Sequence, residues 1–439
     1  MPLAATPPAP ARDRSSSRAH WPMIALLVAS VAINYIDRSN LSIAAPSLKA
    51  ELGLSATQLG NLLSAFFWSY AVCQILSGWL VERFNVNAVM ITGFALWSGA
   101  TAVTGVVGGF GTLLAVRLLL GIGESVAYPC YSKFFVARLD EHRRGVANAL
   151  VDAGSKFGPA LGTLVGGLIV AHWGWRALFV GLGLAGLLWV PAWLRWMPRG
   201  DIVRADPGRP ALAQPGFGQI LRHRAVPATF IGHFCGNYFY YFLLTWLPYY
   251  LVQERHFSTE TMAYVGAVPP LLSACSTMLA GWLSYRALRA GASPTRVRKT
   301  CTVTGLTLAT VVVLVPLTSD ITAAMAVLFF ASIAYGIFAS SHWAITQTIA
   351  GPLAAGRWSG LQNFVGNLAG VVAPALTGFA VDRTGNFIWA FVAIGIVTLT
   401  GAAVHLFALG RVEEATWTVS APEADAERSM SNVQRPTFK

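Results

Sequence analysis

Residues 22–45, 58–80, 88–108, 110–134, 144–170 and 174–197 are apolar runs, each at least as long as the ~20 residues a helix needs to cross the hydrocarbon of a bilayer. A second set follows at 225–252, 261–285, 299–318, 321–350, 357–381 and 386–409. Backbone in hydrocarbon has to satisfy its hydrogen bonds within its own segment or in a closed barrel. Runs of this length are too long for barrel strands, so each is predicted to be a helix. The expected fold is an all-α polytopic membrane protein with twelve transmembrane helices. The charge content agrees: 11% of residues are charged, against about 25% in soluble domains.

The net charge of +12 could suggest nucleic acid, but its placement points elsewhere. With a cytoplasmic N-terminus, 24 of the 31 Lys and Arg fall in cytoplasmic segments, among them Arg12, Arg14, Arg18 and the loops at 138–144, 195–224 and 286–299. Lys49, Arg176, Arg255 and Arg383 lie outside, and Arg38, Arg117 and Lys156 lie inside spans. That asymmetry follows the positive-inside rule and predicts that both termini are cytoplasmic. Cys73, Cys130, Cys235, Cys275 and Cys301 all sit within or beside spans, so no disulfide framework is expected.

Residues 1–20 have no apolar core or cleavage signal and are expected to be a disordered cytoplasmic tail. A six-helix half is expected over 21–197, a Pro-, Gly- and Arg-rich cytoplasmic linker over 198–224, a second half over 225–409, and a mobile cytoplasmic tail over 410–439. The halves echo each other. "SGWLVERF" (77–84) resembles "AGWLSYRA" (280–287), and "FGPALGTLVGG" (157–167) resembles "VAPALTGFAVD" (372–382). Internal repeats of this kind mark transporter folds built around a site between the repeats.

Six ionisable residues fall well inside the first half: Asp37, Arg38, Arg117, Glu124, Asp152 and Lys156. Each is costly in lipid unless it faces a partner or water, so all are expected to point inward. Arg117 and Glu124 are two turns apart on one helical face, and Asp152 can pair with Lys156 four residues on. Two readings stay open: mutual neutralisation as interhelical staples, or a protonation switch. In the second reading an anionic substrate claims Arg38, and Glu124 or Asp37, deprived of its cation, takes up a proton. The guanidinium fork also suits a carboxylate. The second half offers His233, Asn237 and Tyr241 at four-residue spacing, with Ser340, His342, Trp343, Gln362, Asn363 and Asn367 later in the chain. These suit substrate hydroxyls and carbon faces or, equally, interhelical hydrogen bonds and packing.

"GWLVERFNVNA" (78–88), "NYIDRSNLSIAAP" (34–46) and "RLLLGIGESVAYP" (117–129) together carry a resemblance to the major facilitator superfamily. Within it, the chain resembles the anion:cation symporters, which include bacterial galactonate, glucarate and hexuronate transporters and the sialin-type transporters. The loop signature departs from the family's at Glu82, Asn85 and Asn87. The resemblance implies that Arg38 engages a substrate carboxylate, that Asp37 and Glu124 carry protons, and that Arg117 takes part in coupling. It further implies that Tyr35 lines the substrate and that "HWAITQ" and "QNFVGNLAG" are substrate segments pointing to Trp343 and Asn363. Asn34, Asn237, Tyr241 and Gln362 complete the expected substrate-binding set as polar side chains of the spans. Ser155 stands where galactonate-type members have a glutamine, and Lys156 after it could serve a second carboxylate or pair with Asp152.

The expected function is import of a small organic anion, such as galactonate, glucarate or a hexuronate, in symport with protons by rocker-switch alternating access. Alternatives are a proton-independent anion exchanger or exporter, and a transporter-like membrane sensor. No phosphate-binding loop or HExxH spacing is present, so no enzyme activity and no cofactor or metal are expected. The expected partners are the anion, protons and the lipid bilayer, with no nucleic acid, in a monomer of a bacterial-type cytoplasmic (inner) membrane.

Overall fold

The computed structural model describes residues 14–139, 141–197 and 215–417. The first helix, α1, runs over Arg14–Leu52, α2 over Ala56–Arg83, α3 over Val86–Thr104, α4 over Phe110–Glu124 and α5 over Ala127–Arg138. Helix α6 spans Glu141–Leu187 and α7 Trp189–Trp196. The second half holds the short α8 (Phe217–Leu221), then α9 (Val226–Gln253), α10 (Thr259–Arg289), α11 (Pro294–Ala309) with a 3₁₀ turn at Thr310–Leu314, α12 (Ile321–Thr384) and α13 (Ile388–Phe407). Most of the expected linker and most of both expected tails lie outside the described residues.

Helix starts follow local chemistry. Ser55 caps α2 in a reciprocal box with Gln58, and Asn85, Ser258, Ser293 and Asp320 each accept a backbone N–H at the start of α3, α10, α11 and α12. Two long helices are broken by glycine. Gly174 in α6 has φ 80° and Gly351 in α12 has φ 61°, values that cost a glycine little and other residues much. Split there, and joined across the short hinges at α4/α5, α6/α7 and α11/3₁₀, the described residues make twelve rods apart from the short α8, six before residue 198 and six after residue 214.

Among the described residues, eight helices are long and apolar enough to cross a membrane, nine counting a bent α2. The 44-residue segment Ala153–Trp196 among them contains the Gly174 break and covers two rods. Helices α1 and α9 carry many of the polar and aromatic side chains of the interior, among them Asn34, Asp37, Arg38, His233, Asn237 and Tyr241. The outward faces are lipid-like: Leu184, Leu188, Leu194, Leu308, Leu314, Trp389, Ile396 and Phe407 are all exposed.

The halves meet through α2 with α12, α6 with α10, and α1 with α9. At one end they close tightly. Asp382, near the end of α12, accepts from the backbone N–H of Ala56 (2.8 Å) and of Thr57 (2.6 Å), capping α2 from the opposite half. A Cβ on Gly60 would lie 2.5 Å from Pro374 O and 3.3 Å from Gly378 Cα, so the two helices cross with nothing between their backbones. Beside this crossing, Ser42 donates to Leu244 O at 2.8 Å.

On the same side, one arginine in each half ties loops together. Arg176 donates to Glu51 (2.8 Å), Gly105 O (3.2 Å) and Val107 O (3.0 Å). Arg255 donates to Tyr250 Oη (2.7 Å), Thr318 O (2.9 Å) and Val315 O. Two of the few basic residues expected on this side are thus engaged by carbonyls and a carboxylate. At the other end, residues 411–417, part of the expected tail, pack onto the Gly351 break: Ala415 N–H donates to Ile349 O (2.9 Å) and Trp417 Nε1 to Ala350 O (2.9 Å). Trp417 covers Trp358 and His223 there.

Candidate functional site

A cavity of about 1170 Å³ lies between the halves. It reaches from Leu247 and Gly266, below the crossing of α2 and α12, to Phe217, Gly356 and Arg357 at the end that carries the basic loops. The closed end and the open end are therefore opposite.

Arg38 forms the charged wall on the first half. Its Nε donates to Glu124 Oε2 at 2.9 Å, with the two side chains 4% and 0% exposed. The guanidinium carbon lies 4.7 Å from the Tyr35 ring centroid, 4.9 Å from Phe66 and 4.7 Å from Tyr70, an aromatic box that favours a cation through the ring quadrupoles. Arg38 Nη2 is buried and has no hydrogen-bond partner among the described residues, as has Glu124 Oε1. Tyr128 donates to Tyr35 across 3.4 Å and lines the same wall.

Neighbouring residues on a helix point in different directions, and Asp37 illustrates it. It is 3% exposed, accepts from Asn40 Nδ2 at 3.1 Å, and faces away from the cavity, within electrostatic reach of Glu124 and Arg117. The Arg117 guanidinium carbon lies 5.7 Å from the Phe66 ring centroid, and its Nε has no partner among the described residues. Glu124, Asp37 and Arg117 thus form a buried group behind Arg38, which alone of the four lines the cavity. Asn34 is buried beside Glu124 and is likewise off the cavity.

On the facing side Tyr241 donates to Asn367 Oδ1 at 3.0 Å, and Asn367 donates to Asn363 O at 2.9 Å. Asn363 reaches Gln74 of the first half at 3.4 Å, and Gln74 donates to Tyr70 at 3.1 Å. A polar chain therefore crosses the cavity from the aromatic box to α9. Asn237, Tyr241, Trp343, Asn363, Ser155 and Lys156 all line the cavity, where substrate contact was expected of them. Gln362 does not. It is 1% exposed, and its Oε1 accepts from Thr346 at 2.5 Å, because it lies about 100° around the helix from Asn363. The Asp152 side chain, and with it the expected pairing to Lys156, lies outside the described residues.

Sequence reasoning passed over Phe66, Tyr70 and Gln74. Their four-residue spacing along α2 was the available signal, hidden in an otherwise apolar run. Among the described residues no group of three His, Cys, Asp or Glu is placed to hold a metal ion.

The chain is 28% identical to the probable galactarate/D-glucarate transporter of Bacillus subtilis, over 96% of this chain and 98% of that one. It is 30% identical to the hexuronate transporter of the same organism, over 89% and 95% of the two chains, and 28% identical to a D-galactonate transporter of Escherichia coli, over 92% and 99%. Among solved structures, it resembles the crystal structure of a bacterial homolog of the human lysosomal transporter Spinster, inward-facing and unoccupied. That match has a TM-score of 0.70 at 18% identity and covers 91% of this chain and 96% of the other. The family model of the Major Facilitator Superfamily matches residues 27–374, so a single match takes in both halves and the cavity between them, and the chain belongs to that superfamily of membrane transporters rather than to any class of enzyme.

Proposed function

We propose that this transporter imports a small organic anion, a sugar acid, together with protons, by rocking its two halves about the cavity. The observation that carries the reading is the buried Arg38–Glu124 pair: Arg38 lines the cavity and Glu124 lies behind it. Removing two charges from water is costly, and each is tolerated because the other is there. A substrate carboxylate that takes over Arg38 leaves Glu124 as an unpaired buried charge, and a proton removes that charge. Anion binding and proton uptake thereby become one event.

The names of the relatives support a hydroxylated carboxylate as cargo: galactarate/D-glucarate, hexuronate and D-galactonate. With the basic loops cytoplasmic, the described conformation opens to the cytoplasm and is sealed on the outer side by Asp382 and the Gly60 crossing. Rocking would break that seal, expose Arg38 outside and close the mouth near Phe217 and Arg357. The bacterial-type cytoplasmic membrane supplies the proton gradient such import needs.

The test is uptake of labelled D-galactonate, D-glucarate and D-glucuronate into proteoliposomes with and without an inward proton gradient. Stimulation of at least one of them by external acid supports the reading. Uptake indifferent to the gradient overturns proton symport, and uptake of none overturns the substrate class.

A further inference from the structure

Arg38 and its aromatic box occupy one wall of the cavity, and on the opposite half a second polar group has no part in the coupling scheme above. His233 of α9 and His342 of α12 both line the cavity. Their rings stack with centroids 4.9 Å apart and planes 14° apart. Phe338 stacks on His342 at 5.1 Å, and Trp343 lies against His233 at 4.8 Å. Trp343 also lies 5.1 Å from His342, so aromatic neighbours pack against both imidazoles.

Hydrogen bonds on the remaining nitrogens set the tautomers. Asn237 Nδ2 donates to His233 Nε2 at 3.3 Å, so the His233 proton resides on Nδ1. His342 Nδ1–H donates to Ala339 O at 3.2 Å, so the neutral ring presents Nε2 as an acceptor. The two nitrogens left over, His233 Nδ1 and His342 Nε2, are buried and have no partner among the described residues. One is a donor and the other an acceptor. Buried polar groups of this kind are costly unless a ligand completes them.

A hydroxyl group is both donor and acceptor, whereas a carboxylate only accepts and an ammonium only donates. We propose that His233 and His342 form a hydroxyl-reading subsite that selects sugar acids by the carbinol groups at the end remote from the carboxylate held by Arg38. The inference rests on the sugar-acid reading above and adds to it the residues that separate a hydroxylated acid from a plain alkyl one. Asn237 is a positioning residue, fixing which His233 nitrogen bears the proton, and Trp343 supplies an apolar face for the carbon chain beside it.

The experiment measures competition in proteoliposomes against uptake of labelled D-galactonate or D-glucarate, using two matched pairs: D-galactonate against hexanoate, and D-glucarate against adipate. The members of each pair share chain length and carboxylates and differ in hydroxyls. In the native protein the hydroxylated member competes more strongly. In His342→Phe, which keeps a stacking ring and removes the acceptor, the hydroxylated member loses about 10- to 100-fold in apparent affinity while its alkyl counterpart holds. His342→Gln, which restores an acceptor, recovers most of the preference. His233→Phe, which keeps a ring and removes the Nδ1 donor without adding charge, reproduces the loss and keeps the test open should His342→Phe fail to fold. Equal weakening of both members of a pair, or no change in either, overturns the subsite. Failure of the native protein to take up either sugar acid overturns instead the function reading beneath it.

Discussion

Arg38 donates through Nε to Glu124 Oε2 at 2.9 Å, while its Nη2 has no partner among the described residues. One edge of the guanidinium is held from behind and part of the fork remains for an incoming carboxylate. Glu124→Gln keeps the side-chain shape and removes the titrating group. Uptake driven by a pH gradient should fall to background, while exchange of internal for external substrate at equal pH persists. Retained acid stimulation in this variant would remove Glu124 from the coupling scheme. Arg38→Lys keeps the charge but loses the fork and the Nε bond, and initial uptake should fall by about 30-fold or more.

The aromatic box should tune affinity for the anion by holding the guanidinium in place. Tyr70→Phe keeps the ring over Arg38 and should leave the Michaelis constant close to native. Tyr70→Leu removes a cation–π contact worth about 0.5–2 kcal/mol and should raise that constant about 2- to 30-fold. Equal effects of the two substitutions would show that the hydroxyl, through its bond from Gln74, is the part that counts.

Asp382 caps α2 from across the half-to-half boundary, and side-chain caps of this kind are worth about 0.5–2 kcal/mol. Asp382→Ala should shift the conformational balance away from the described closed end by about 2- to 30-fold. In a cysteine-free background with Leu247→Cys, a residue on the cavity wall near that end, labelling by an impermeant maleimide from the Asp382 side should accelerate. Unchanged labelling would mean that the Gly60–Gly378 crossing seals this end unaided.

Glu51 lies exposed at the end of α1 and accepts from Trp175 Nε1 at 2.6 Å and from Arg176 at 2.8 Å. The indole N–H first, and then the guanidinium, hold its carboxyl below its ordinary value of 4.5. Because the folded value is lowered, the stabilisation is present above about pH 4.5 and is lost as pH falls through the lowered folded value. The melting temperatures of the native protein and Glu51→Gln, followed in detergent from pH 7 down to pH 3, should therefore differ most at neutral pH and converge at the acid end. A constant gap would show that the tie does not depend on charge.

The length and apolarity of the runs were enough to locate the helices, because a backbone in hydrocarbon has few other ways to satisfy its hydrogen bonds. Asp37, Arg38, Arg117 and Glu124 were equally legible as inward-facing, since lipid tolerates them nowhere else, and their burial agrees with that. Tertiary structure decided the rest. It turned Asp37 from the cavity and Arg38 toward it, set Gln362 against Thr346 with Asn363 on the wall, and brought Tyr70 and Gln74 from an apolar run to the charged site. It also docked residues 411–417 on the Gly351 break. The reason is common to all of these. Periodicity along one helix says which residues share a face, but how that face is rotated, and what meets it, depends on close packing against other helices.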